Sequence, residues 1–279
     1  MTRRRDPLRD FDAFDPALLH RQHGRERGIT AAKLVAMFGG NFRTFAEKYG
    51  TSGLVSYWKL EEASGSRADS FGTNTLTDNN TVTQAAGKLG QAGLFTQANT
   101  EYLSIASNTG LQFGEKDWTL TAWIKLTSKS VSFDLQALIT KNSIVAGTRE
   151  MELMYRASTD VFMAIVFSAV DVQSADIAAT NFGSPTIGVW YFVAVTYTVA
   201  TNAVAISVNA GTQNTGVIGA TLQSSTAEFW IGASAYAGFP LPADAAIDSI
   251  GRWNRVLSAD EISYLYNGGT GRPIVGTEP

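Results

Sequence analysis

Short runs of alternating apolar and polar residues, separated by Gly, Asn, Ser and Thr, fill the chain from Gly53 onward. In TLTAWIKL, Leu120, Ala122, Ile124 and Leu126 fall on one face of an extended chain, with Thr119, Thr121, Trp123 and Lys125 on the other. That two-residue period is the signature of a half-buried strand. WYFVAVTY (190–197) is apolar on nearly both faces, as a central strand requires. AVAISVNAG (203–211) reads as a strand entering a turn at Asn209-Ala210-Gly211, and EFWIGAS (228–234) as another strand after a polar loop. The pattern predicts an all-β, two-sheet antiparallel sandwich. One helix interrupts it near the end. Ser258 and Glu261 have capping-box spacing, Leu257 can staple onto Ile262, and Ile262, Leu265 and Tyr266 share a face before Asn267-Gly268 stops the helix.

The first 52 residues follow a different pattern. Asp15-Pro16 opens a short helical turn, Thr30 caps a segment with Leu34, Met37 and Phe38 on one side, and Gly39-Gly40 ends it. Asn41 caps a further segment in which Phe42, Phe45 and Tyr49 line up, closed by Gly50. Helices this short bury little by themselves, so residues 1–52 are expected to dock on a partner or on further copies of the chain. Three regions result: a helical N-terminal extension (1–52), a β domain (53–269) and a tail (270–279).

Charge sharpens the division. The net charge of −3 over 279 residues is the sum of +4 in residues 1–50 (ten Lys/Arg, six Asp/Glu) and −7 in the remainder (twelve against nineteen). An acidic β domain is expected to ignore nucleic acid, whereas the basic head can meet an acidic surface. There is no cysteine, which removes disulfides, thiol catalysis and Cys-ligated zinc. The longest apolar runs, VFMAIVF and VWYFVAV, are too short to cross a bilayer as helices, and no membrane partner is expected. The opening MTRRRDPLRDFDAFDP has no apolar stretch of the kind a secretory signal needs. Work outside a cell is therefore expected to follow some other exit, such as lysis.

The order of the segments carries a resemblance. GLVSYWKLEEASGSRADSFGTNTLT, GKLGQAGLFTQANTEYLSI, WTLTAWIKL, WYFVAVTY, FWIGAS and IDSIGRWNRVLSADEISYLYNGG resemble, in order, the segments of laminin G-like, concanavalin A-like jelly-roll domains of bacterial and phage proteins. The resemblance covers residues 53–269 and implies a jelly-roll sandwich. At the turn after WYFVAVTY the family commonly has Val-Asp-Gly or Asn-Gly; here VNAGT keeps a turn and loses the acid. Such sandwiches serve as lectins, adhesion modules, glycosidases and spacers, so the fold alone does not fix a function.

Candidate chemistry is sparse. Jelly-roll glycosidases usually place their acids in a Glu-x-Asp-x-x-Glu strand, absent here; the nearest approach is TREMELMY, where Glu150 and Glu152 are two apart on one strand face. Cα atoms so spaced lie about 6.5–7 Å apart, which geometry alone does not exclude for a pair of catalytic carboxylates. His20 and His23 both fall in the head, leaving the β domain without an imidazole base. Many relatives hold a structural calcium with an aspartate of the last strand and backbone carbonyls. The resemblance puts Asp248 in that role, with the loops 61–65 and 69–74 as neighbours, against the plainer possibility of an acid that accepts backbone hydrogen bonds. For a glycan, SAYAGFPLPAD offers Tyr236, Phe239 and Asp244 on one loop, and TDNNT (77–81) offers a polar one. The resulting expectation is a non-catalytic phage virion surface protein, homo-oligomeric and exposed after host lysis. Residues 1–52 would dock on capsid or tail proteins while the jelly roll met host glycans. The alternatives are a bacterial surface carbohydrate-binding adhesion protein and a glycoside hydrolase using Glu150 and Glu152.

Overall fold

The computed structural model describes residues 51–274 apart from 115, 131–133, 144, 146, 169–171 and 236–240. The helices expected in residues 1–50 lie outside the described residues. From Leu54 the chain forms an all-β sandwich in which every strand pairing is antiparallel. The opening strands are β1 (Leu54–Trp58), β2 (Thr77–Asn79), β3 (Thr83–Ala86), β4 (Gln91–Phe95) and β5 (Tyr102–Ile105). There follow β6 (Trp118–Leu126), β7 (Leu135–Lys141), β8 (Met151–Arg156), β9 (Val161–Phe167) and β10 (Gln173–Ala178). The last five are β11 (Tyr191–Thr198), β12 (Ala203–Val208), β13 (Asn214–Val217), β14 (Phe229–Ile231) and β15 (Ala245–Trp253), followed by the helix α1 (Ala259–Tyr266).

Eight strands make one sheet in the order β13-β12-β11-β6-β15-β4-β3, with β1 also on β15, and seven make the other in the order β10-β9-β8-β7-β14-β5-β2. The core lies between them, and the sequence periodicity states which side faces it. Leu120, Ala122, Ile124 and Leu126 of β6 are all fully buried in it, with Trp58, Phe113, Trp118 and Phe229. Trp123, on the alternate face of β6, belongs instead to a second apolar cluster with Phe192 and Trp253, over which Leu257, Ile262 and Leu265 of the helix segment close. The helix begins as the capping box requires: Glu261 N–H donates to Ser258 Oγ at 3.2 Å, and Ser258 N–H donates to the Glu261 carboxylate at 2.8 Å. Asn267 ends it in the left-handed conformation. Helix α1 thus lids the outer face of the eight-stranded sheet.

One end of the sandwich holds charge where apolar residues are the rule. Glu150, immediately before β8, is wholly buried. Its carboxylate lies 3.2 Å from Lys141 Nζ and accepts from Phe113 N–H (2.7 Å), Ser225 N–H (2.6 Å) and Ser225 Oγ (2.8 Å). Arg252 of β15, also wholly buried, stacks its guanidinium 4.5 Å from the Phe113 ring centroid and donates to the carbonyls of Gln112 and Trp253. Burial pulls the Arg252 pKa down to about 9, against the pull of Glu150 in the other direction. Burial likewise lowers the pKa of Lys141. Both cations therefore depend on the one carboxylate between the sheets. Removing one partner of a buried pair strands the other and costs about 3–5 kcal/mol. Glu150→Gln is expected to lower unfolding free energy by that amount in urea titration, whereas Glu152→Gln is not.

Candidate ligand-binding face

The closing strand explains the acid in AAIDSIGRW. Residues 245–247 of β15 pair with β4, and residues 250–253 pair with β1, while a register shift against β6 falls between Asp248 and Gly251. Asp248 and Ser249 therefore occupy the gap where the strand changes neighbours, with Ser249 at φ 51°. The β3–β4 turn fills the gap. Lys88 N–H and Leu89 N–H donate to Asp248 Oδ2 at 2.6 and 2.8 Å, and Ser249 Oγ donates to Oδ1 at 2.7 Å. Gly87 lets the turn come this close, since a Cβ there would sit 2.7 Å from Asp248 Oδ2 and 2.4 Å from the Gln91 carbonyl oxygen.

This surrounding does not fit the calcium that the family resemblance implies. Calcium asks for an inward-facing set of oxygens, and here Asp248 faces N–H and O–H donors. The neighbouring acids are also spent on backbone. Asp69 accepts from the amides of Tyr57, Phe71, Gly72 and Asn74, Glu61 from that of Gln91 and Glu62 from that of Ala68. Among the described residues no cluster of three or more acidic or His side chains could hold a metal. Asp248 is a structural bracket between turn and strand.

The other expected site residues are also placed. Glu150 turns into the interior while Glu152, on β8, points to the outer face of the seven-stranded sheet, where Asn142 Nδ2 donates to it at 2.7 Å. The two acids do not share a face, because Glu150 precedes the strand and escapes its alternation. Asp244 receives the amide of Gln97 at 2.8 Å and so braces a turn. Tyr236 and Phe239, like His20 and His23, lie outside the described residues. The flanks of the Tyr236 segment cross the outer face of the seven-stranded sheet: Ala235 N–H donates to Asn142 Oδ1, and Leu241 packs on Ala137, Met154, Met163, Ile165 and Phe167. In TDNNT, Asp78 holds the amides of Gly65 and Val82, and Asn79 donates to Ser104 Oγ.

Sequence reading missed a pair on that same outer face. Cross-strand pairing sets Thr77, Ser104, Trp230, Thr140 and Glu152 in one row over β2, β5, β14, β7 and β8. Diagonally beside Trp230, Tyr102 stacks on it with ring centroids 3.9 Å apart and planes 13° from parallel. Both rings are half-buried. Trp58, Trp118, Trp123 and Trp253 are buried in the two clusters, and Lys125 lies over Trp190. Trp230 is instead oriented by its indole N–H, which donates to the exposed Glu228 carboxylate at 2.7 Å. Burial first, and the Glu228 charge second, raise the Tyr102 pKa, so its hydroxyl stays protonated at neutral pH. The two rings are stacked face to face, so each covers one face of the other; the outward ring face that remains, with hydroxyl and carboxylate neighbours, suits a ligand that offers a C–H face and hydroxyl groups. Under α1, by contrast, the cleft lined by Tyr57, Thr121, Ser249 and Arg272 has room for about one water.

Comparisons with known proteins bear on the fold. Residues 97–263 match the family model described as the concanavalin A-like lectin/glucanases superfamily. No curated protein sequence matches. Among solved structures, the binding domain of Paraclostridial mosquitocidal protein 1 is similar at TM-score 0.61 and 14% identity, over 78% of this chain and 52% of that one. The botulinum neurotoxin serotype D ligand-binding domain, solved with N-acetylneuraminic acid, gives 0.60 and 10%, over 80% and 52%. Domain 4 of AbnA, an extracellular arabinanase of Geobacillus stearothermophilus solved with arabinotriose, gives 0.50 and 16%, over 76% and 97%. The chain thus spans about half the length of the two toxin domains, and at these identities the likeness is one of fold.

Asp248 generates a pH prediction. Burial raises its pKa to about 6, outweighing the three hydrogen bonds that favour the ionised form, with Glu61 adding a further upward push. A carboxyl that holds its proton more tightly folded than unfolded contributes most below the unfolded pKa near 4, and loses that contribution as pH rises through about 6. Unfolding free energy is expected to fall between pH 4 and 7 by roughly 2–3 kcal/mol on this account. Asp248→Asn should flatten that slope, and a chelator should leave the melting temperature unchanged.

Proposed function

Since the chain belongs to the concanavalin A-like lectin/glucanases superfamily, we propose that its sandwich is a non-catalytic module that binds glycan on the outer face of the seven-stranded sheet. The observation that carries this is the half-buried Tyr102–Trp230 stack beside Ser104, Asn79 and Glu228. Two of the similar structures were solved with a sugar, arabinotriose in one and N-acetylneuraminic acid in the other, which supports sugars as the ligand class. The non-catalytic part is supported by Glu150, whose carboxylate is sealed from solvent and hydrogen-bonded on both oxygens; glycoside cleavage needs two carboxylates that reach the substrate.

For its setting, the proposal is a virion surface, with residues 1–52 as the anchor. What supports it is the basic charge of that segment and its two short runs of aligned apolar side chains, which need a covering partner. The described fold and the similar structures contribute nothing to that choice. The glycan reading stands without it.

Trp230→Ala is expected to weaken binding to any glycan retained on an array by about tenfold in calorimetry, with the melting temperature held within a few degrees. Array hits that bind Trp230→Ala as tightly as the native chain would rule this face out. Loss of residues 1–50 is expected to abolish co-purification with particles and to leave glycan binding intact.

A further inference from the structure

We infer that the Tyr102–Trp230 face selects uncharged sugars, and that Glu228 is the residue that sets this selectivity. The inference rests on the glycan reading and adds the class of ligand. Glu228 is exposed, and its Oε2 is fixed beside the indole by the 2.7 Å hydrogen bond from Trp230 Nε1. Oε1 takes part in no hydrogen bond among the described residues, so it is available to accept from a sugar hydroxyl lying against the ring. A carboxylate held at the edge of an aromatic platform accepts hydroxyl donors and repels carboxylate, sulfate and phosphate groups.

No exposed cation on β2, β5, β14 or β7 offsets that repulsion, and the arginines farther along this face are engaged: Arg156 of β8 pairs with Asp176 at 3.0 Å, and Arg149 lies over the Phe167 ring. Across β2, β5, β14 and β7 the one basic side chain is Lys141. It is wholly buried and committed to Glu150, Ser107 Oγ and the Ala227 carbonyl. Arg67, which approaches β2 from the opening segment, is equally buried; it donates to the carbonyls of Gly65 and Val82 and lies 4.0 Å from Asp78. Besides Tyr102, the other titratable groups of these four strands and their immediate flanks are acids, and β8 adds one more beside its paired Arg156. Asp78 holds two backbone amides, Glu101 holds Thr96 N–H and Asn99 Nδ2, and Glu152 faces outward on β8 with Asn142 as donor. Recognition of an anionic sugar commonly uses an exposed Arg or Lys, and these strands offer none. Tyr102 supplies a neutral hydroxyl, and Ser104 and Asn79 supply further uncharged polar groups at the sheet edge.

The experiment screens the full chain on an array that pairs neutral glycans with their sialylated, sulfated and uronate counterparts at fixed ionic strength. Hits are then titrated by calorimetry and by the Trp230 indole N–H resonance. The expected result is binding of neutral glycans that shifts the Trp230 signal, with the anionic counterparts at least tenfold weaker. Glu228→Gln, which keeps an amide oxygen for the indole N–H, should narrow that gap with its melting temperature unchanged. Anionic glycans bound as tightly as their neutral counterparts, through Trp230, would overturn the selectivity and leave the glycan reading standing. An unchanged gap in Glu228→Gln would overturn the role of Glu228. Should no glycan bind at millimolar concentration, or choline alone shift the Trp230 signal, the glycan reading itself falls and takes this inference with it.

Discussion

The carboxylate of Glu150 sits where no water reaches it and gathers three parts of the chain that are far apart in sequence. Through Phe113 it holds the loop between β5 and β6, through Ser225 the loop between β13 and β14, and through Lys141 the end of β7. Each of those loops crosses between the sheets, so the end of the sandwich closes around one anion. A buried ion needs both a counter-charge and enough hydrogen bonds to replace lost water; Glu150 has three donors besides the ammonium. Arg252, stacked on Phe113 from the opposite sheet, extends the cluster across the core. An apolar plug would fill the same space, but it would not define which backbone amides must meet there.

Asp248 applies the same principle at the middle of the other sheet. Where β15 changes partner from β4 to β1, two backbone amides of the β3–β4 turn point at the gap. A buried amide without an acceptor costs about as much as a lost hydrogen bond. The carboxylate meets both amides with one oxygen and the Ser249 hydroxyl with the other. Three donors thus take three of the roughly four acceptor positions of the carboxylate. The donors around Asp248 use the acid for architecture.

Much of the fold was legible because strand periodicity and turn residues report burial directly. Leu120 to Leu126, the capping box at Ser258 and the stop at Asn267 all read correctly from their spacing alone. The site was less legible, for a physical reason visible in two residues. Alternation in EFWIGAS puts Trp230 on the face opposite Phe229 and Ile231, and alternation in EYLSI does the same for Tyr102. Nothing in either segment states that β5 and β14 are neighbours, or that the register stacks one ring on the other. Glu150 failed in the converse way. Alternation continued back from β8 puts it beside Glu152, but it lies one residue before the strand, and although its amide and carbonyl still bond to Lys141 and Phe167, its side chain turns inward to Lys141, Phe113 and Ser225.

The location of the aromatic pair follows from what the remaining surfaces are used for. Helix α1 and its flanking residues cover the outer face of the eight-stranded sheet, so Trp123 and Phe192 there are spent on packing. Both inner faces form the core. On the outer face of the seven-stranded sheet, Leu241 covers Met154, Met163 and Phe167 toward β8 and β9. Toward β2 and β5, however, the described strands carry no such cover, and it is here that Tyr102 and Trp230 stand half-buried. An isolated tryptophan on an open strand would gain by folding flat onto apolar neighbours. This one is held against Tyr102 and anchored by Glu228, at the entropic cost of ordering three side chains. The stack itself contributes about 0.5–1.5 kcal/mol to the pairing of β5 and β14, and on the proposed glycan reading it also gives a stacking ligand a platform in place before it arrives.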